Sequence, residues 1–180
     1  VSAADPATAR RVVQQWGPLA LNMAALHTLD HADILALICQ ESAGDPYAWR
    51  PEPGFAAHYR SGILASLDEV KDPAAAKRYR QWFDRDPLVL ASSFGLMQIL
   101  TICAIERGCL LRYPTQLCEP QTGLDAGCRH LRWIFNQIPK TESEPRRWAW
   151  LRWNGGGDPA YPDEIQAWQS AILAVLRETV

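Results

Sequence analysis

A chain of 180 residues, 48% apolar and 21% charged, holds enough material for one sizeable core and is too apolar to stay disordered. A formal net charge of −2 excludes broad electrostatic capture of nucleic acid or of an anionic membrane surface. No apolar run approaches a membrane span, and no signal-peptide pattern is present, although a start at Val1 leaves room for a removed upstream segment.

The first expected element runs from Asp5 to Leu26, within an N-terminal helical segment, 1–29. Asp5-Pro6 pairs an N-cap with a first-turn proline, and Val12, Val13, Trp16, Leu19, Ala20 and Met23 recur at helical spacing. Gly17-Pro18 inside it predicts a kink or two shorter helices. His27 and His31 lie four apart, a spacing that suits two metal ligands, but they straddle an expected break and no carboxylate motif accompanies them. They read as surface or packing residues.

A second helix is expected from His31 to Ser42, with Ile34, Leu35, Leu37 and Ile38 as its buried stripe. It delivers Glu41 at its last turn, just before Ser42, Gly44 and Pro46, so the acid stands at a rim. A carboxyl so close to an apolar stripe is partly desolvated, which favours its protonated form. That suits a general acid, while an ordinary helix-end glutamate is the plainer alternative.

Tyr47 to Phe55 is rich in proline and predicts an extended loop. Its Trp49 suits a sugar-stacking platform or a core plug. Asp72-Pro73 opens another helix, continued by Ala74 to Phe83 and ended by Asp84, Asp86 and Pro87. Residues 56–90 are too short and too closely flanked to fold alone, and are expected to border a cleft. In Ala91–Thr101 a single amide, Gln98, interrupts an apolar run and needs a hydrogen-bond partner: a sugar hydroxyl, an acetamide, or nearby backbone.

Further helices are expected over Leu100–Leu111, ended near Gly108, and over Thr122–Gln137, Pro145–Trp153 and Asp163–Leu176. A glycine-dense stop, Asn154 to Pro159, follows the helix at Pro145–Trp153. Strand signals are sparse, so the fold is expected to be mainly α, with little or no β. Five cysteines without CxxC spacing weaken both a zinc site and a fully paired disulfide framework. Cys39 belongs to the core; Cys109, Cys118 and Cys128 leave room for one pair.

Four short stretches then line up in order with a family pattern. Glu41-Ser42 with Pro46 matches E-S-x-x-x-P, and Gly95-Leu96-Met97-Gln98 matches G-L-M-Q. Gly127 with Leu131 matches G-x-x-Y-L, with His130 in place of the aromatic residue. Trp153-Asn154-Gly155-Gly156 resembles Y-N-x-G, with Trp153 for tyrosine. Over about residues 30 to 165 the chain resembles the soluble-type lytic transglycosylases (SLT domains) of the lysozyme-like superfamily, with 56–90 longer than the usual connection.

That resemblance implies one lytic-transglycosylase-like domain spanning 1–180, a goose-type or SLT-like helical fold with a cleft. It implies cleavage of the β-1,4 bond between N-acetylmuramic acid and N-acetylglucosamine in peptidoglycan, forming a 1,6-anhydromuramic end. Glu41 would be the acid and then the base; Ser42, Met97, Gln98, Trp153 and Asn154 would line or order the substrate site, with Trp49 a candidate stacking platform. The chemistry requires no cofactor and no metal.

The implied partner is the peptidoglycan glycan strand, with a monomer favoured, and the implied location is periplasmic, wall-associated, or delivered by a phage or secretion apparatus. Two alternatives stay open. One is a goose-type-lysozyme-like muramidase, whose second carboxylate would come from 52–86, where Glu52, Asp68, Asp84 and Asp86 stand. The other is a non-catalytic wall-binding or virion structural module. A metal-dependent amidase or peptidase has less support, since no HExxH or comparable ligand set occurs.

Overall fold

A computed structural model describes residues 4–178 of the chain. The mainly α expectation holds: 69% of the structure is helical and 5% is strand. Among the described residues no helix is long and apolar enough to cross a membrane.

Nine α-helices and three short strands follow in chain order among the described residues: α1 (Pro6–His27), α2 (His31–Ser42), β1 (Trp49–Pro51), α3 (Pro53–His58), α4 (Arg60–Asp68), α5 (Pro73–Arg85), β2 (Ser92–Phe94), β3 (Ile99–Leu100), α6 (Thr101–Glu106), α7 (Pro120–Asn136), α8 (Pro145–Trp153) and α9 (Tyr161–Glu178). Short 3-10 turns precede β2 and α7. Two compact units result. One takes the chain up to Gly44 and again from Cys128; the other is Asp45–Gly127.

In the first unit, α2 packs with α1 and α9, and α8 packs with α9. Asp5 caps α1 as its sequence announces, accepting from the amides of Ala7 and Thr8. The break expected at Gly17-Pro18 does not occur: α1 is a single helix with Pro18 inside it. Pro18 costs the bond to the Gln14 carbonyl, but both residues lie on the exposed side, where water can replace that donor. Helix α2 also exceeds its expected stripe. Every residue from Ala32 to Cys39 is buried, so the helix is enclosed all round.

The second unit surrounds an antiparallel sheet of order β1-β2-β3, pairing Trp49 with Phe94 and Phe94 with Ile99. Tyr47–Phe55, expected as a loop, thus supplies a strand and the start of α3; the edge position of β1 tolerates Pro51. Helix α6 runs from Thr101 to Glu106, and the stop expected near Gly108 is in place, where that residue takes a φ of +82°. Tyr79 locks the following segment: it accepts from the Leu111 amide at 2.7 Å, and its hydroxyl donates to the Cys109 carbonyl at 3.3 Å. All five cysteines are thiols, so the pair for which Cys109, Cys118 and Cys128 left room does not form; Cys39 is buried as expected.

Candidate functional site

The chain that builds α2 ends it abruptly. Ala43 and Gly44 adopt left-handed φ values of +50° and +85°, and their amides turn back to the Cys39 and Ile38 carbonyls. Ser42 reinforces this stop, donating its hydroxyl to the Ile38 carbonyl and accepting from the Gly44 amide. The indole of Trp16 then donates to the Gly44 carbonyl at 3.0 Å. A helix buried from Ala32 to Cys39 therefore emerges in its last turn, where Gln40, Glu41 and Ser42 are half-buried.

Each of these side chains is held from a distant part of the sequence or by the helix end itself. Gln40 donates to Glu164 at 2.7 Å and accepts from the Trp168 indole at 2.8 Å. Glu41 accepts two donors on one oxygen, Oε1: the Trp153 indole at 3.0 Å, from the end of α8, and the Tyr161 hydroxyl, from the start of α9. Trp153 is braced in turn by His130, whose ring meets it edge-on and stacks on Trp133. His130 thus supplies ring packing at the position where the sequence pattern has an aromatic residue.

No family model, no curated protein and no solved structure matches the chain. The site is therefore read from its geometry.

Of the expected site residues, Glu41 and Trp153 meet directly. Asn154 follows as the C-cap of α8, and its amide donates to the Trp150 carbonyl at 3.1 Å. Ser42 stands beside Glu41, but both of its described hydrogen bonds serve the helix terminus. Tyr161 is the residue that sequence reasoning missed. Its only local cue is a place between Pro159 and Pro162 at a helix start; nothing in the pattern shows that α9 returns to the end of α2.

The remaining expected residues lie in the second unit. Met97 is fully buried and packs on Gly127, where a methyl group would stand 2.6 Å from its sulfur. Expected along a cleft, Met97 instead fills core. Gln98 donates its amide to the carbonyls of Ala48 at 2.9 Å and Gly95 at 3.0 Å, with φ at +45°. The nearby-backbone alternative thus describes its nitrogen. Gly95, at φ +75°, lies so close to the Leu117 carbonyl that an added Cβ would sit 2.1 Å from that oxygen.

Trp49 is 60% exposed, which excludes the core-plug alternative. It lines a groove of about 910 Å³ in the second unit together with Tyr47, Trp82, Phe94, Leu88 and Pro114. Of these rings Tyr47 and Trp49 are exposed, and their faces suit the apolar faces of a carbohydrate. Of the four candidate carboxylates in 52–86, three are engaged locally: Glu52 pairs with Arg50, Asp68 with Arg80, and Asp86 caps the 3-10 turn after α5; Asp84 is exposed. Among the described residues, no group of three or more His, Cys, Asp or Glu side chains is placed to hold a metal ion.

Proposed function

We propose that the chain is a soluble-type lytic transglycosylase with a lysozyme-like helical fold, cleaving the MurNAc-β-1,4-GlcNAc bond of peptidoglycan. The observation that carries this proposal is Glu41, delivered by a buried helix and oriented through one oxygen by Trp153 and Tyr161. Preorganised donors of this kind fix a carboxyl group before substrate arrives, which is what an acid that must also serve as base needs.

Protonated Glu41 gives its proton to the leaving glycosidic oxygen as the C1–O bond breaks and positive charge gathers at the muramic anomeric carbon. The carboxylate so formed takes the proton of that sugar's own C6 hydroxyl, whose oxygen closes on C1. The product is a 1,6-anhydro end, and no water is consumed. The substrate's acetamide shields the intermediate charge, so one protein carboxylate suffices. The local pairing of Glu52, Asp68 and Asp86 supports this one-carboxylate chemistry over hydrolysis. The aromatic groove with Trp49 supports a glycan as ligand.

Glu41→Gln tests the assignment. The amide keeps the shape and can still accept from Trp153 and Tyr161, but it has no acidic proton to give. Wall lysis should disappear while binding to sedimented peptidoglycan persists. Undiminished lysis would remove the proposal; wall binding without lysis in the unaltered chain would favour a binding module.

A further inference from the structure

The two donors on Glu41 differ in what they allow. Trp153 and Tyr161 already fill the two in-plane lone pairs of Oε1, so a proton there would displace one of them, and an indole N–H cannot turn round to accept it. The proton of the acid form is therefore directed to Oε2. Tyr161 reinforces that choice from a second direction. It is 5% exposed, and the segment before it is tied down: the Ala160 amide donates to Asp158 at 2.8 Å, and Arg147 holds both the Pro159 carbonyl and Asp163. The phenol is thus fixed by its own backbone, whereas Trp153 depends on packing against His130.

We infer that Tyr161 is a positioning residue for Glu41, reserving Oε1 as the anchored oxygen and leaving Oε2 as the one that exchanges the proton. This rests on the transglycosylase proposal for what the exchanged proton does. Tyr161 keeps its own proton throughout. Oε2–H goes to the glycosidic oxygen as that bond breaks, and the C6 hydroxyl proton returns to Oε2 as the new C–O bond forms. Glu164 on α9, held by Gln40, and His130 on α7, against Trp153, are titratable groups beside the assembly among the described residues.

A hydrogen bond to a charged group favours the ionised form, so deleting one should let Glu41 hold its proton to higher pH. In Tyr161→Phe, the Glu41 carboxyl resonance, followed by carbon-13 NMR, should titrate about one pH unit higher than in the unaltered chain. The alkaline limb of the pH profile for wall lysis should move with it. Replacing Tyr161 by 3-fluorotyrosine preserves the fold and makes a stronger donor, and should shift both readouts the opposite way. Should Tyr161→Phe fail to fold, the fluorinated protein alone decides.

An unmoved carboxyl titration in the folded substituted proteins overturns the inference. The carboxyl titration needs no activity, so the two proposals can fail separately. A Tyr161-dependent titration in a protein that yields no anhydro ends sinks the transglycosylase proposal; an active enzyme with a Tyr161-independent titration sinks the positioning role.

Discussion

The last turn of α2 and the turn joining β2 to β3 both bring polar side chains to the end of a buried apolar run, and they use them differently. At α2 the backbone satisfies itself through Ala43 and Gly44, which leaves Glu41 to be gripped by side chains from α8 and α9. At the β2–β3 turn the polar side chain is taken by the backbone: Gln98 closes the turn onto Gly95 and ties it to Ala48. The first arrangement leaves a titratable group oriented and half-buried. The second makes a rigid support. Similar motif strength in sequence thus yields an oriented acid in one place and architecture in the other.

The largest effect should come from the chemical side of this contrast. Glu41→Gln should lower wall lysis by about 10²-fold or more, the range for losing a general acid, with urea stability within about 1 kcal/mol of the unaltered protein. A loss of lysis that merely tracked unfolding would place Glu41 on the architectural side.

Next in size, Gly95→Ala should cost about 3 kcal/mol or more in urea denaturation, because the new methyl group meets a backbone oxygen and the residue keeps a left-handed φ. Gly127→Ala offers the sharper comparison. Its clash is with the Met97 thioether, which can rotate away, so the cost should be about 1 kcal/mol. Equal penalties would mean that the turn yields as readily as a flexible side chain and is no rigid support.

Gln98→Ala should destabilise by about 1 kcal/mol, because the Ala48 and Gly95 carbonyls lose the side-chain donor but keep the backbone amides of Gly95 and Gln98. Its effect on lysis should disappear once lysis is measured well below the melting temperature. A large loss of activity at full stability would move Gln98 to the chemical side.

The smallest effect concerns the opposite end of α2. Asp33, 1% exposed, accepts from Arg146 at 2.7 Å and from Gln169 on Oδ1, while its Oδ2 has no partner among the described residues. Burial raises its carboxyl above the ordinary carboxylate value, and the nearby Asp30 charge adds to this, against the pull of Arg146. The folded chain therefore holds this proton where the unfolded chain has lost it, so stability declines as pH rises from the ordinary value to the raised one. Asp33→Asn should lack that decline when urea stability is compared across about pH 3 to 7. A steeper decline in the asparagine protein would mean that the folded state lowers the Asp33 carboxyl instead of raising it.

How much of this was legible in the sequence follows from which interactions are local. The Asp5-Pro6 and Asp72-Pro73 starts, the bounds of α2 and α8, and the mainly α character all depend on caps and periodicity within a few residues. Pro18 misled because its cost depends on which face of α1 meets solvent. The small sheet was missed because its three strands are two or three residues long, too short to show alternation. Glu41 and Trp153 could be singled out by type and order, but their contact spans 112 positions and Tyr161 adds another at 120. Met97 and Gln98 show the converse: residues marked for a ligand can be consumed by a turn.

The central claim, that Glu41 breaks a glycan strand by intramolecular transfer, is tested most directly by mass spectrometry of peptidoglycan digested with the unaltered protein beside Glu41→Gln. Muropeptides ending in 1,6-anhydromuramic acid are expected from the first and none from the second. Reducing muramic ends, or the same anhydro products from both proteins, would contradict the claim.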